Sequence, residues 1–126
     1  MKLNSILIAL LGCSTLTLTL TSSALSNIVW EPVPGTKIPS LMDADPDFWY
    51  IGVNTITRKR NSINFDVDAN GEYIRYSANC RTNMMSRLAI GSIDDQETKR
   101  VTMFKENYFK ANGFQQLVLN KACSRK

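Results

Sequence analysis

SINFDVDANGEYIRYSANC, residues 62–80, decides the fold. Ile63, Phe65 and Val67 alternate with Asn64 and Asp66, the period of a strand with one face buried and the other wet. Asn70-Gly71 follows, the preferred pair for a two-residue type I′ hairpin turn. With those two as the loop, Ala69 stands opposite Glu72, Val67 opposite Ile74, Phe65 opposite Tyr76 and Ile63 opposite Ala78. Ile63, Phe65 and Val67 then each meet an apolar partner on one face, and a slip of one residue destroys the match. Cys80 falls in phase with Ile74, Tyr76 and Ala78 and points toward the core.

Upstream, Trp49, Ile51 and Val53 alternate within an aromatic and β-branched run at residues 48–53, a second half-buried strand. Arg58-Lys59-Arg60-Asn61 forms a polar tip between it and the hairpin. Downstream, residues 87–93 read as a strand led by Leu88 and Ile90. Asp94, Asp95 and Glu97 mark a charged turn, and residues 100–104 return as an edge strand. Met84-Met85 reads as gap-filling core or loop. After Asn112-Gly113, the spacing of Phe114, Leu117, Val118 and Lys121 suits a short helix lying on one sheet face. The expected fold class is α+β: an antiparallel β-sheet of roughly four to six strands with a short C-terminal helix packed on it.

The first residues address a different question. Met1-Lys2 begins with a positive charge, residues 3–20 are apolar with small polar interruptions, and Ser22-Ser23-Ala24 supplies small residues for a peptidase. Residues 1–24 read as a secretory signal, too short and wrongly flanked for a membrane span. Leu10-Leu11-Gly12-Cys13 also approaches a lipobox, which would place a lipid on Cys13 and leave residues 14–26 as a tether. Apolar character continues through Leu20, which favours cleavage near Ala24. On either reading the domain is exported, to the periplasm or the exterior, or held at the outer membrane as a lipoprotein.

Without the leader, Cys80 and Cys123 remain, an even number in an oxidising compartment and not in a Cys-x-x-Cys redox spacing. Their bridge closes a loop of about 43 residues, worth on the order of 4 kcal/mol in the chain-entropy model. About 100 residues remain, enough for one domain. Residues 25–47, broken by Pro32, Pro34, Pro39 and Pro46, read as an irregular lead-in, and residues 48–126 as the domain.

The chain has no histidine, which removes histidine triads and most metal sites. Asp43, Asp45 and Asp47 open like a calcium loop, but Phe48 takes the place of the required glycine and Asn54 that of the closing glutamate. They read as a solvated acidic loop. No catalytic residue, metal or cofactor is assigned. Two clusters are candidates for a binding surface: Arg58, Lys59 and Arg60 at the tip, and Lys105 and Lys110 around Tyr108 and Phe109. Tyr108 and Phe109 read as packing residues. Export leaves nucleic acid out; the partners such a surface suits are anionic envelope or extracellular polymers and proteins.

Trp30, the strand Trp49-Tyr50-Ile51, the stretch Asn54-Thr55-Ile56-Thr57-Arg58, and the strand from Ile63 to Val67 come in that order. Tyr73 to Cys80-Arg81, Gly91, and the closing Leu119-Asn120-Lys121-Ala122-Cys123 follow. This succession resembles the bacterial surface-adhesin E family over most of the chain. The resemblance implies an antiparallel sheet with a C-terminal helix strapped on by two cysteines, and a non-catalytic adhesin that binds host matrix proteins and plasminogen, with haem bound as a dimer. Without histidine, imidazole ligation of haem iron is impossible here. A small exported hydrolase using Asp or Glu, with Asp94, Asp95 and Glu97 as its carboxylates, and a purely structural periplasmic domain are the alternatives.

Overall fold

The computed structural model describes residues 27–38, 48–95 and 97–125. The signal reading, Cys13 and the Asp43, Asp45 and Asp47 loop lie outside them. The strands are β1 (Trp30–Pro32), β2 (Tyr50–Lys59), β3 (Ser62–Ala69), β4 (Glu72–Asn79), β5 (Met84–Asp94), β6 (Glu97–Met103) and β7 (Phe109–Lys110). Among the described residues the helix is α1 (Phe114–Ser124), which follows β7. All strand pairs are antiparallel, in the order β1-β2-β3-β4-β5-β6, with β7 beside the first residues of β5. No helix among the described residues is long and apolar enough to cross a membrane.

The central hairpin takes the register its sequence implies: Ile63 pairs with Ala78, Phe65 with Tyr76, Val67 with Ile74 and Ala69 with Glu72. Asn70 and Gly71 both have positive φ, 59° and 94°, as a type I′ turn demands. The apolar row so formed is buried, and the Phe65 and Tyr76 rings lie 5.8 Å apart between centroids. α1 packs its buried Val118, Leu119 and Ala122 against this face, over β2 and β3. Burying Val118 and Leu119 is worth about 1.5–3 kcal/mol each.

Several boundaries differ from those the sequence suggests. β2 runs on to Lys59, because a register shift between Gly52 and Thr57 lets it resume pairing with β3 beyond an irregularity. Only Arg60 and Asn61 therefore form the turn. β5 starts at Met84, and Met85 is a fully buried core residue. The lead-in is part of the domain. β1 joins the sheet edge, where Pro32 is tolerated, and Val33 and Thr36 are fully buried. The Thr36 hydroxyl donates to the Val33 carbonyl at 2.7 Å and accepts the Trp49 N–H at 3.0 Å, fixing the turn to β2.

The opposite face of the hairpin, expected to be wet, is closed around Asp66. This carboxylate is fully buried. Arg75 donates to it through Nε at 2.7 Å and Nη2 at 3.1 Å, and the Tyr73 hydroxyl donates at 2.9 Å. A buried charge is tolerable only when so paired. Burial foremost, and then the Asp66 charge, push the Tyr73 hydroxyl far above its ordinary pKa, so it stays protonated as the donor. Gly91 lies opposite Tyr73, and a Cβ there would stand 2.8 Å from the Lys99 carbonyl oxygen. Glycine thus allows β6 its close approach to β5.

The far end of α1 is held covalently. Cys80 and Cys123 form a disulfide with Cα atoms 5.9 Å apart. The near end has only Gly113 as its cap and no side-chain capping bond. Propensity alone would leave an 11-residue helix marginal, so packing and the staple hold it. Replacing both Cys80 and Cys123 by Ser is expected to destabilise the domain by about 4 kcal/mol in urea unfolding. Amide exchange should rise first in α1, with β3 and β4 keeping the highest protection.

Candidate functional site

In an antiparallel meander, alternate turns fall at the same end of the sheet. The Arg60-Asn61 turn and the turn through Cys80, Arg81, Thr82 and Asn83 are therefore neighbours, Ser62 pairing with Asn79 between them. Neither turn contains a carboxylate. The opposite end carries Asp68, Glu72, Asp94, Asp95 and Glu97 around the Asn70-Gly71 and Asp95 turns. The domain is polarised along its strands, basic at one end and acidic at the other.

Ion pairing sharpens this division. Arg75 is held by Asp66, Arg87 by Glu106, Lys99 by Asp94, and both Lys121 and Arg125 by Glu31. Among the described residues, Lys37, Lys59, Arg60, Arg81, Arg100, Lys105 and Lys110 are exposed and form no ion pair with another side chain. Lys59, Arg60 and Arg81 lie in or beside the two basic turns, and Lys110 pairs with Met84 where β5 leaves the second. Between the turns is a groove of about 690 Å³, with Lys59 and Arg60 on its rim and Ala78, Met84 and Tyr108 among its lining.

The groove is built from fixed parts. The Asn79 carboxamide oxygen accepts the N–H groups of Arg81 at 2.9 Å and Thr82 at 3.2 Å, shaping the second turn. Tyr108 is about half exposed, at 52%, and its hydroxyl lies 3.1 Å from that of Ser77, which holds the ring in place. Phe109 packs on the core as expected, whereas Tyr108 presents a face to solvent. The structure thus brings Lys59 and Arg60 together with Tyr108, nearly fifty residues away in the chain, while Lys110 pairs with Met84 beside the groove without lining it. Lys105 is exposed on the 104–108 connection and does not line the groove. Arg81 was missed at the sequence level; only its place beside Cys80 in a turn hinted at it.

Arg58 has a different task. Its Nη2 donates to the carbonyls of Ala122 at 3.3 Å and Cys123 at 2.9 Å, and also to that of Arg125. A cation there satisfies carbonyls that the helix leaves open and complements its dipole. Arg58→Ser is expected to lower stability by about 1 kcal/mol, read as a lower Tm, while binding at the groove persists.

The carboxylates at Asp94, Asp95 and Glu97 lie at the tip of the β5–β6 hairpin, where Asp94 pairs with Glu97 across the turn. Among the described residues, no group of three metal-binding side chains converges. Elsewhere Glu106 grips Arg87 at two points, Nε to Oε2 and Nη2 to Oε1, each 3.0 Å. Arg87 also stacks over the Phe104 ring, 5.4 Å from its centroid. The hydrogen bonds from Arg87 hold the Glu106 carboxyl below its usual pKa. A carboxylate depressed in the folded state stabilises above its unfolded pKa, and that stabilisation fades as pH falls through the folded value. Glu106→Gln should therefore show a shallower loss of stability than the parent between about pH 6 and about pH 3, measured by urea midpoints.

Compared with known proteins, the chain matches no family model, no curated protein and no solved structure.

Proposed function

We propose that this chain is an exported, non-catalytic binding domain of the surface-adhesin E type, which captures an anionic envelope or extracellular polymer at its basic end. The observation that carries the reading is the sorting of its cations. Arg75, Arg87 and Lys121 are engaged by carboxylates, whereas Lys59, Arg60 and Arg81 cluster without an ion pair in or beside two neighbouring turns, Lys59 and Arg60 lining the groove there. Unpaired cations beside a concave surface concentrate the positive potential and attract polyanions. The Tyr108 and Met84 surfaces add apolar contact for the ligand's backbone.

The disulfide supports an oxidising destination, in keeping with the leader at residues 1–24. That leader delivers the domain either free, after cleavage near Ala24, or tethered through a lipidated Cys13. The placing of Asp94 and Glu97 opposite each other at a hairpin tip favours binding over hydrolysis.

The triple variant Lys59→Ser, Arg60→Ser, Arg81→Ser tests the surface on immobilised heparin. Elution should move to lower salt and affinity at physiological salt should fall about tenfold or more, with the Tm unchanged. Elution at the parental salt concentration refutes the basic end as the binding surface.

A further inference from the structure

We propose a second binding site on the helix-bearing face, a cleft that accepts an uncharged sugar ring of a glycan. α1 makes its main contacts with β2 and β3, and a cleft remains beside it where its first turn faces β4 and the 106–109 segment. Residues from β4, from the first turn of α1 and from the 106–109 segment line a cleft of about 500 Å³, within the range of small-ligand sites. None of its lining residues is shared with the basic groove, so the inference stands apart from the proposal made there.

The lining has two components. Trp49 and Phe109 are half-buried aromatic rings bordering the cleft, above a floor that includes Ile74 and Tyr76. Trp49 is steadied edge-on against Phe114, with ring centroids 5.3 Å apart. Around them are planar polar groups: the Glu72 carboxylate, the Gln115 carboxamide and the Arg87–Glu106 fork. The fork is internally neutralised, and the Arg87 N–H also donates to Glu106 Oε2 at 2.6 Å. Burial above all pushes the Tyr76 hydroxyl pKa up to about 12, with the neighbouring Gln115 carboxamide working against that rise.

These properties select a ligand class. The fork cancels its own charge, leaving Glu72 as the one uncompensated charge in the lining, so a polyanion is repelled. A pyranose ring has an apolar C–H face and a rim of hydroxyls that both donate and accept. Aromatic faces suit the first, and carboxylate, carboxamide and guanidinium groups suit the second. A purely apolar ligand would leave Glu72 and Gln115 desolvated without partners.

The test uses Trp30→Phe, which leaves Trp49 as the only indole reporter and removes an N–H buried without an acceptor. Its fluorescence is titrated with oligomers of N-acetylglucosamine and of glucose, and with an acidic oligosaccharide as the contrasting probe. The expected result is a saturable change with a neutral oligomer in the millimolar range or tighter, preserved at high salt. Gln115→Ala and Glu72→Ala should each weaken it about tenfold, whereas Lys59→Ser with Arg60→Ser leaves it intact. Both cleft variants alter solvent-accessible side chains, and near-ultraviolet circular dichroism confirms their fold. No saturation with either neutral oligomer, saturation by the acidic probe alone, or binding indifferent to Gln115 and Glu72 overturns the proposal. Heparin retention is read independently, so failure of the cleft and failure of the basic end are told apart.

Discussion

Because side chains alternate across a strand, the two-residue Asn70-Gly71 turn forces Phe65 against Tyr76 and Val67 against Ile74. That single register puts the apolar row on the face that receives Val118, Leu119 and Ala122 of the helix. It also brings Asp66 opposite Arg75 and Asp68 opposite Tyr73 on the other face. Both sides of the hairpin are therefore buried by one pairing, one with hydrocarbon and one with a hydrogen-bonded charge. A slip would expose the first and strand the carboxylate of the second, so the register is specified twice.

The same pairing locates the ends of the domain. Once the hairpin is set, strict antiparallel order places the Arg60-Asn61 turn beside Cys80 and Arg81, and the acidic turns at the opposite edge. The disulfide then draws the end of α1 to the basic end, where Arg58 closes over the last carbonyls of the helix. A cation that would otherwise belong to the surface thus stabilises the strap, and its neighbours Lys59 and Arg60 are left to face outward. The staple and the charged groove share one end of the molecule because they share its turns.

The two candidate sites differ in physical character. The basic end is lined by unpaired cations, whereas the cleft beside α1 is aromatic and nearly charge-balanced.

Much of this architecture was legible from residues alone. Alternation and Asn70-Gly71 determined the hairpin and its register, because both are local rules with a period of two. Cysteine parity named the bridge, and the spacing of Phe114, Leu117 and Val118 located the helix. What escaped depends on neighbours distant in the chain. Asp66 reads as a wet position until Tyr73 and Arg75 are seen folded onto it, and Arg58 reads as a free cation until the helix end arrives beside it. Likewise Tyr108 joins Lys59 and Arg60 only through strand order, and Val33 and Thr36 become core only when β1 docks. Local periodicity determines which face a side chain takes; which partner it finds there is decided by the sum of long-range contacts, and no window of sequence contains them.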